Sequence, residues 1–259
     1  VSADLIATRE GFSREQCDAY AVRSQERAAA SIKAGHFTDS IVPIYHNDGQ
    51  LALDKDEHPR PGTTLENMQG LNPSFEKMGT TLYDGHDRTF DQICKDVYPE
   101  IDGVTHVHHA GNSSGVVDGA GAILLSSPGY AKANGLKPRA KIVMTATAGT
   151  EPVIMLTAPG PAAEICLKKA GMTKDDIDLF EINEAFSVVA EKFIRDLNLD
   201  RDKVNVNGGA MALGHPIGAT GSMLIGTVID ELERRGQQFG LVTMCAAGGM
   251  APAIIVERI

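Results

Sequence analysis

The sequence has few cysteines, no concentrated positive charge and no long apolar run. Its four cysteines lie far apart without a Cys-x-x-Cys pair, which indicates neither a disulfide framework nor a structural zinc site and favours a reducing compartment. The formal net charge is -10 and no basic block is present, which argues against a general nucleic-acid binder. No apolar run approaches the roughly 20 residues of a membrane span, and no signal-peptide pattern is present. We expect a soluble protein without nucleic-acid partners.

What is present is typical of an α/β protein. The 259 residues are 42% hydrophobic and 22% charged, enough for one large domain or two smaller ones. The chain begins with Val1, and by Asp4 it already has the pattern of a helix interior without a start signal. We therefore expect something to precede it.

Strand and helix patterns alternate through the second half of the chain. A capping box at Ser13 predicts a helix over 14–34, and the Pro-, Gly-, Asp- and His-rich stretch 36–109 predicts an irregular subdomain with a turn at 47–49. The later patterns predict strands at 121–125, 141–148, 177–182, 239–244 and 253–256 and helices at 130–134, 161–170, 184–197 and 215–235. This alternation indicates a layered sheet with helices on its faces.

His215 stands among glycines where a strand-like run gives way to a helix. One interpretation is a histidine that caps the helix N-terminus. The other is a catalytic base, because the flanking glycines allow close backbone approach and the helix dipole would disfavour the imidazolium. A dinucleotide-binding loop fits poorly, since the spacing of Gly214, Gly218 and Gly221 differs from the Gly-x-Gly-x-x-Gly fingerprint.

Cys245 follows an apolar strand and precedes two glycines. It is either a small buried residue before a turn or a thiol at a strand end, where an α/β fold presents side chains to a crevice. Near His215 it would exist as a thiolate and shuttle a proton.

Asn183 and its neighbours lie between a predicted strand and a predicted helix. Asn183 is either an N-cap or an amide that positions a water, and Glu184 is a helix-dipole partner or structural hydrogen-bond acceptor. Phe186 is either core or a wall for an acyl chain. Further upstream, His106 and His108 would share one strand face, but no third metal ligand follows, so we expect solvated loop histidines.

Several segments together resemble the thiolase family. They are Arg60-Pro61-Gly62-Thr63-Thr64-Leu65-Glu66, Ala110-Gly111-Asn112-Ser113-Ser114-Gly115-Val116-Val117-Asp118-Gly119-Ala120, Asn183-Glu184-Ala185-Phe186, Gly214-His215-Pro216 and Cys245-Ala246-Ala247-Gly248-Gly249. The resemblance implies a layered α-β-α-β-α architecture, here incomplete. It implies thiolysis of 3-ketoacyl-CoA or Claisen condensation of acetyl-CoA, with coenzyme A as substrate and no prosthetic group.

The resemblance also implies roles for single residues. His215 would activate the nucleophile and, with a water held by Asn183, stabilise an enolate oxygen. Cys245 would be the acid/base, and the backbone N–H of Ala247, where many relatives have glycine, would serve a second oxyanion hole. The positions that line the coenzyme A tunnel in relatives are Arg60, Asn67, Leu71, Phe75, Ala110, Gly111, Ser114, Ala185 and Phe186. Asn67 stands where some relatives have serine.

Two departures from the family pattern bear on the prediction. The segment 80–109 is longer and more polar than the family's short link. By this resemblance we expect the family's first half, with the nucleophilic cysteine, to be missing from these residues, and no cysteine here has the surroundings to replace it. The predicted parts are a coenzyme A-binding loop subdomain at 1–114, a strand and helix at 115–138 that would complete the sheet of the N-terminal half, and a C-terminal thiolase domain at 139–259.

We therefore expect the C-terminal part of a longer thiolase, with the N-terminal half on the same or a separate chain. The alternative is a non-catalytic coenzyme A-binding or assembly subunit; a ketoacyl synthase is disfavoured because it normally has a second histidine where Cys245 stands. The resemblance further implies a homodimer or tetramer, cytoplasmic if bacterial and mitochondrial or peroxisomal if eukaryotic. The Cys-Ala-Ala-Gly-Gly form and the long 80–109 segment favour a degradative enzyme of fatty acid β-oxidation.

Overall fold

The protein is described by a computed structural model that covers residues 1–259. Its helices are α1 (Ser2–Glu10), α2 (Arg14–Lys33), α3 (Leu65–Gln69), α4 (Glu76–Gly79), α5 (Phe90–Val97), α6 (Pro128–Ala133), α7 (Pro159–Ala170), α8 (Ser187–Asp196), α9 (Ala210–Leu213) and α10 (Thr220–Arg235). Its strands are β1 (Ile44–Tyr45), β2 (Leu51–Leu53), β3 (Ala140–Gly149), β4 (Leu179–Ile182), β5 (Phe239–Thr243) and β6 (Met250–Arg258). Lys174–Asp176 and Arg201–Lys203 form short 3-10 helices.

The main sheet has the strand order β3-β6-β5-β4. Strands β4 and β5 are parallel, whereas β6 is antiparallel to both β5 and β3. The carboxyl ends of β4 and β5 therefore lie at the same edge as the start of β6, where Ala246 pairs with Met250. This edge carries the residues after each parallel strand.

Helices cover both faces of this sheet. One face packs Phe180, Ile182 and Leu241 into a core shared with α2, α7 and α8, while the other packs Leu179 and Val242 against α10. All four residues of β4 are buried, as expected for a parallel strand that is covered on both faces.

A second apolar cluster joins α1 to the long 80–109 segment. Leu5 and Ile6 of α1 are buried together with Cys94 of α5, Tyr98 and Ile101. The 80–109 segment is therefore packed against the start of the chain. The rest of the predicted irregular subdomain contains the β1–β2 hairpin, whose turn includes Gly49 at φ 85°, and the short helices α3 and α4.

Most of the predicted helices and strands are confirmed, but one strand and two helix starts are wrong. Residues 121–125 form no strand, because no neighbouring strand pairs with them, and Leu124 and Leu125 are 82% and 68% exposed. The helix predicted from 184 begins at Ser187, and the helix predicted from 215 begins at Thr220. Helix α8 starts late because Phe186 pairs with Ser113, and α10 starts late because His215 bonds to Gly115 and residues 217–219 form a turn.

Candidate functional site

The site lies at the edge of the sheet where β4 and β5 end. Asn183 directly follows β4, and its backbone N–H donates to Thr243 O, the last residue of β5, at 3.1 Å. Cys245 comes two residues after that strand, so the fold brings Asn183 and Cys245 to neighbouring strand ends. The third component, His215, reaches Asn183 from the loop between α9 and α10.

His215 is held at three points. Its backbone N–H donates to Gly115 O at 2.9 Å, its Nδ1 lies 2.7 Å from Thr220 Oγ1, and its Nε2 lies 3.4 Å from Asn183 Nδ2. Burial lowers the pKa of the ring below its ordinary value, so the neutral imidazole is favoured at neutral pH. The expected neutral form of the ring is thus supported, but for a different reason. The helix begins five residues later, so burial acts in place of its dipole.

Asn183 is not the N-cap of a helix. The chain stays extended after it because Ser113 and Phe186 form a β-bridge, in which Ser114 N–H donates to Ala185 O at 3.0 Å. The side chain of Asn183 is completely buried, and its Oδ1 has no hydrogen-bond partner within the protein. A buried amide with one free acceptor beside a histidine can fix a polar group of a ligand.

Cys245 is a buried thiol. Burial raises its pKa to about 11, so at neutral pH the proton stays on sulfur, and no hydrogen bond joins Sγ to His215. The expectation of a resting thiolate is therefore wrong. The reason is the apolar surroundings of the strand end, which penalise the charged form.

Ala247 lies in an exposed turn directly after Cys245. Gly248 and Gly249 follow with φ values of 80° and 85°, a conformation that residues with side chains rarely adopt. Gly249 also packs on the backbone of Thr150, where an added Cβ would lie 2.6 Å from the carbonyl oxygen. The backbone N–H of Ala247 donates to no group in the protein, which leaves it available to a ligand oxygen.

Glu184, which follows β4, links helix α2 to the segment 205–211 through hydrogen bonds. Its carboxylate accepts hydrogen bonds from Tyr20, Ser24 and Asn205 side chains and from the backbone N–H of Met211, over 2.6–3.2 Å. Burial raises its pKa, and those hydrogen bonds oppose the rise. Glu184 is thus a structural acceptor, one of the two predicted alternatives; the other is wrong because helix α8 begins three residues later.

Several residues predicted to line a coenzyme A tunnel contact the segment 185–186 that follows Asn183, or contact one another. The ring of Phe186 meets the ring of Phe75 edge-on at 5.8 Å, and a Cβ on Gly111 would lie 3.0 Å from Leu71 Cδ1. Ser114 and Ala185 are joined by the backbone hydrogen bond given above. Ala110 is exposed beside Gly111. These contacts join Phe75 and Ser114 to the residues before α8 and Leu71 to Gly111, and we refer to this set of residues as the wall.

Arg60 and Asn67 form only local hydrogen bonds in the structure. Both side chains are exposed; the backbone N–H of Arg60 donates to Gln25 Oε1 at 2.9 Å, and Asn67 lies in α3, whose N-cap is Thr64. No hydrogen bond joins either side chain to His215 or Cys245.

The predicted solvated histidines are buried, so that expectation is wrong. His108 Nδ1 and His106 Nδ1 each lie 2.7 Å from a carboxylate oxygen of Asp4, and His109 Nε2 lies 2.9 Å from Asp18 Oδ1. Both aspartates precede these histidines by about 90 residues or more in the sequence, which is why spacing gave no signal. The ring of His108 also meets Phe186 edge-on at 5.5 Å, so this network supports the wall.

Comparison with known proteins gives the family. Residues 136–258 match the protein-family model described as thiolase, C-terminal domain, and residues 1–83 match the model described as thiolase, N-terminal domain. The chain belongs to the thiolase family. It contains residues of both thiolase domains, and the predicted thiolase-like α/β fold is confirmed by solved thiolases. The acetyl-CoA acetyltransferase of Bacillus anthracis superimposes with a TM-score of 0.84 at 37% identity, covering 100% of this chain and 59% of that one.

Other thiolases give a similar picture. The acetyl-CoA acetyltransferase of Thiocystis violacea is 40% identical over 262 residues, covering 100% of this chain and 60% of that protein. The human mitochondrial 3-ketoacyl-CoA thiolase, solved in complex with CoA, has a TM-score of 0.85 at 39% identity, covering 100% of this chain and 58% of that one. The chain thus spans about 60% of the length of the curated relatives it matches. These proteins are named as enzymes, which gives no support to a non-catalytic subunit.

No helix in the structure combines the length and the apolar character needed to cross a bilayer.

Proposed function

We propose that these residues form part of a thiolase that transfers acyl groups between thiols of the enzyme and coenzyme A. The observation that carries this proposal is the meeting of His215 Nε2 and the Asn183 amide at the strand edge that also bears Cys245. A neutral base, a buried thiol and a free backbone donor are the groups that such acyl transfer needs.

In thiolysis, a nucleophilic thiolate attacks the 3-keto carbon of a 3-ketoacyl-CoA, and the C2–C3 bond breaks. The electron pair moves to the acetyl-CoA enolate, whose oxygen would be stabilised by His215 and a water held by Asn183. Cys245 would then donate its proton to C2 of the enolate, for which a thiol that stays protonated at neutral pH is suited. The acyl-enzyme thioester would finally be attacked by coenzyme A, whose thiol Cys245 deprotonates.

The N–H of Ala247 would stabilise the oxyanion that forms at the acyl carbonyl. Alanine is sufficient here because the donor belongs to the backbone. Claisen condensation of two acetyl groups follows the same steps in reverse.

We propose that the nucleophile lies outside these residues. Burial raises the pKa of Cys17 and Cys94 to about 11 and also raises that of Cys166, and all three side chains are buried in helices. None is a poised thiolate. Support for a missing partner comes from Val116, Leu124 and Ile217, which are 90%, 82% and 71% exposed. We infer that the rest of the N-terminal thiolase half, on the same or a separate chain, covers this apolar surface.

Coenzyme A would enter along the wall formed by Leu71, Phe75, Gly111, Ser114 and Phe186. Ala110 and Ala185 would complete its lining, and Arg60 and Asn67 would meet the far end of the ligand. No prosthetic group is needed, because coenzyme A and its thioesters are substrates. The human relative solved with CoA supports this assignment.

We favour a degradative enzyme that cleaves 3-ketoacyl-CoA in fatty acid β-oxidation and assembles as a dimer or tetramer. A series of 3-ketoacyl-CoA substrates of increasing length tests the first point, because a synthetic acetoacetyl-CoA enzyme would act on the shortest alone. Sedimentation of the active protein tests the second. The compartment would be the cytoplasm of a bacterium, or the mitochondrion or peroxisome of a eukaryote.

The decisive experiment is thiolysis by the protein as its source produces it, with any N-terminal half included. Cys245→Ala should abolish turnover, while Cys166→Ala, which removes another buried thiol in α7, should retain it. An inactive wild-type protein that still binds coenzyme A would instead indicate a binding subunit. Equal loss in both variants would contradict a specific role for Cys245.

A further inference from the structure

Thr220 contacts the candidate base through its hydroxyl group. It is the first residue of α10 and only 2% exposed. Its Oγ1 lies 2.7 Å from His215 Nδ1 and 2.9 Å from the carbonyl oxygen of Pro216. Both distances lie in the hydrogen-bond range, so one hydroxyl group serves two partners.

The single hydroxyl hydrogen can serve only one of these partners. Pro216 O is a carbonyl oxygen and can only accept, so the short contact with it requires the hydrogen of Thr220 Oγ1. Oγ1 must then accept from His215, which places a hydrogen on Nδ1. The opposite arrangement would leave two oxygen atoms 2.9 Å apart with no hydrogen between them.

The other ring nitrogen points to the same assignment. His215 Nε2 lies 3.4 Å from Asn183 Nδ2, and an amide nitrogen is a donor only. A lone pair on Nε2 faces that donor favourably, whereas a hydrogen there would face another hydrogen. Both ends of the imidazole therefore favour the tautomer that carries its hydrogen on Nδ1.

We propose that Thr220 is a positioning residue that holds His215 in this tautomer and keeps the Nε2 lone pair free to take a proton. Its catalytic meaning rests on the proposed thiolase function, but the tautomer itself is a property of the resting protein. The backbone of His215 is held separately by Gly115 O, so the hydrogen bond to Thr220 Oγ1 fixes the direction of the ring. Without the hydroxyl group, the ring would lose its acceptor at Nδ1 and exchange between tautomers.

The first test is ¹⁵N NMR of the imidazoles in the histidine-labelled 259-residue protein, with the His215 signals assigned from His215→Asn. At a pH where the ring is neutral, Nδ1 should show the shift of a protonated nitrogen and Nε2 that of an unprotonated one. The reverse pattern in the wild-type protein would overturn the proposal.

The second test asks whether Thr220 causes that preference. Thr220→Val keeps the shape of the side chain and removes the hydroxyl group. It should lower the ratio of the Nδ1–H tautomer to the Nε2–H tautomer by about 5-fold, which is the effect of one hydrogen bond. Thr220→Ser should restore the wild-type pattern. An unchanged pattern in Thr220→Val would refute the role, and Thr220→Ala decides the question if the valine variant does not fold.

Thr243 offers a matched control. It is also 2% exposed, and its hydroxyl group also donates to a proline carbonyl, that of Pro252, at 2.7 Å. Thr243→Val should leave the His215 tautomer unchanged. A similar shift in both variants would show a general effect of losing a buried hydroxyl group and would overturn the specific role of Thr220.

In the active thiolase, Thr220→Val should lower kcat by up to about 10-fold with little change in KM, and Thr220→Ser should recover it. A change confined to KM would contradict positioning of the base. If the protein shows no thiolase activity while the NMR pattern is as expected, the proposed function fails and the tautomer assignment stands.

Discussion

Replacing Asp4 by asparagine should destabilise the folded protein and remove part of its sensitivity to acid. Asp4 is completely buried in α1, and its Oδ1 accepts from the backbone N–H groups of Val107 and His108, each at 3.0 Å. The same carboxylate lies 2.7 Å from ring nitrogens of both His106 and His108. An asparagine has one oxygen and an NH₂ group, so at least one of these donors would face another donor.

The magnitude follows from the pKa of Asp4. Burial alone would raise this pKa, but the interactions with His108, the backbone N–H of Val107 and His106 together outweigh burial and lower the pKa from 3.8 to about 2. At about 1.4 kcal/mol per pKa unit, the ionised carboxylate stabilises the fold by roughly 2 kcal/mol. Because the folded-state pKa is the lower one, this contribution is complete above about pH 4 and is lost as the pH falls towards about pH 2.

Urea unfolding monitored by circular dichroism from neutral to acidic pH measures this effect. Asp4→Asn should unfold with a free energy lower by about 2 kcal/mol or more at neutral pH, and its stability should fall less steeply in acid. Asp102→Asn alters an exposed aspartate in the same packed segment and should change stability by less than about 0.5 kcal/mol. Equal stability and equal acid dependence of Asp4→Asn and the wild type would refute this reasoning.

Three further predictions concern the site loops. Gly209→Ala would place a Cβ 2.3 Å from Glu184 Cδ and should lower the unfolding free energy by about 1–3 kcal/mol, whereas Gly218→Ala, which meets open space, should be close to neutral in thermal unfolding. Ser24→Ala removes a 2.6 Å hydrogen bond to buried Glu184 and should cost about 1–3 kcal/mol in urea unfolding; no loss would contradict the structural role of that carboxylate. In the active enzyme, the acidic limb of the pH profile of kcat/KM should have its midpoint below the ordinary histidine pKa of 6.5, because burial favours neutral His215. A midpoint above that pH would contradict this prediction.

Local patterns predicted the elements whose signals lie within a few residues. The glycines that end α7 and α10, Gly171 and Gly236, adopt φ values of 68° and 66° and stop the helices where expected. The apolar runs at 177–182 and 239–244 predicted strands β4 and β5 and placed Asn183 and Cys245 at strand ends, and the structure shows that these strands are parallel neighbours.

Long-range pairing explains what the sequence did not predict. The β-bridge between Ser113 and Phe186 keeps the chain extended past Asn183, which no local propensity indicates. The burial of His106 and His108 depends on Asp4, about 100 residues earlier. Thr220 went unnoticed although it stands five residues after His215, because only the turn before α10 brings their side chains together.

The thiol that carries the acyl group is the central point of the account. The protein from its source should be incubated with a 3-ketoacyl-CoA, quenched in acid and digested, and the acylated peptide identified by mass spectrometry. The account predicts an acyl thioester on a cysteine outside these 259 residues, with Cys17, Cys94, Cys166 and Cys245 unmodified. An acyl group on any of those four cysteines would contradict it.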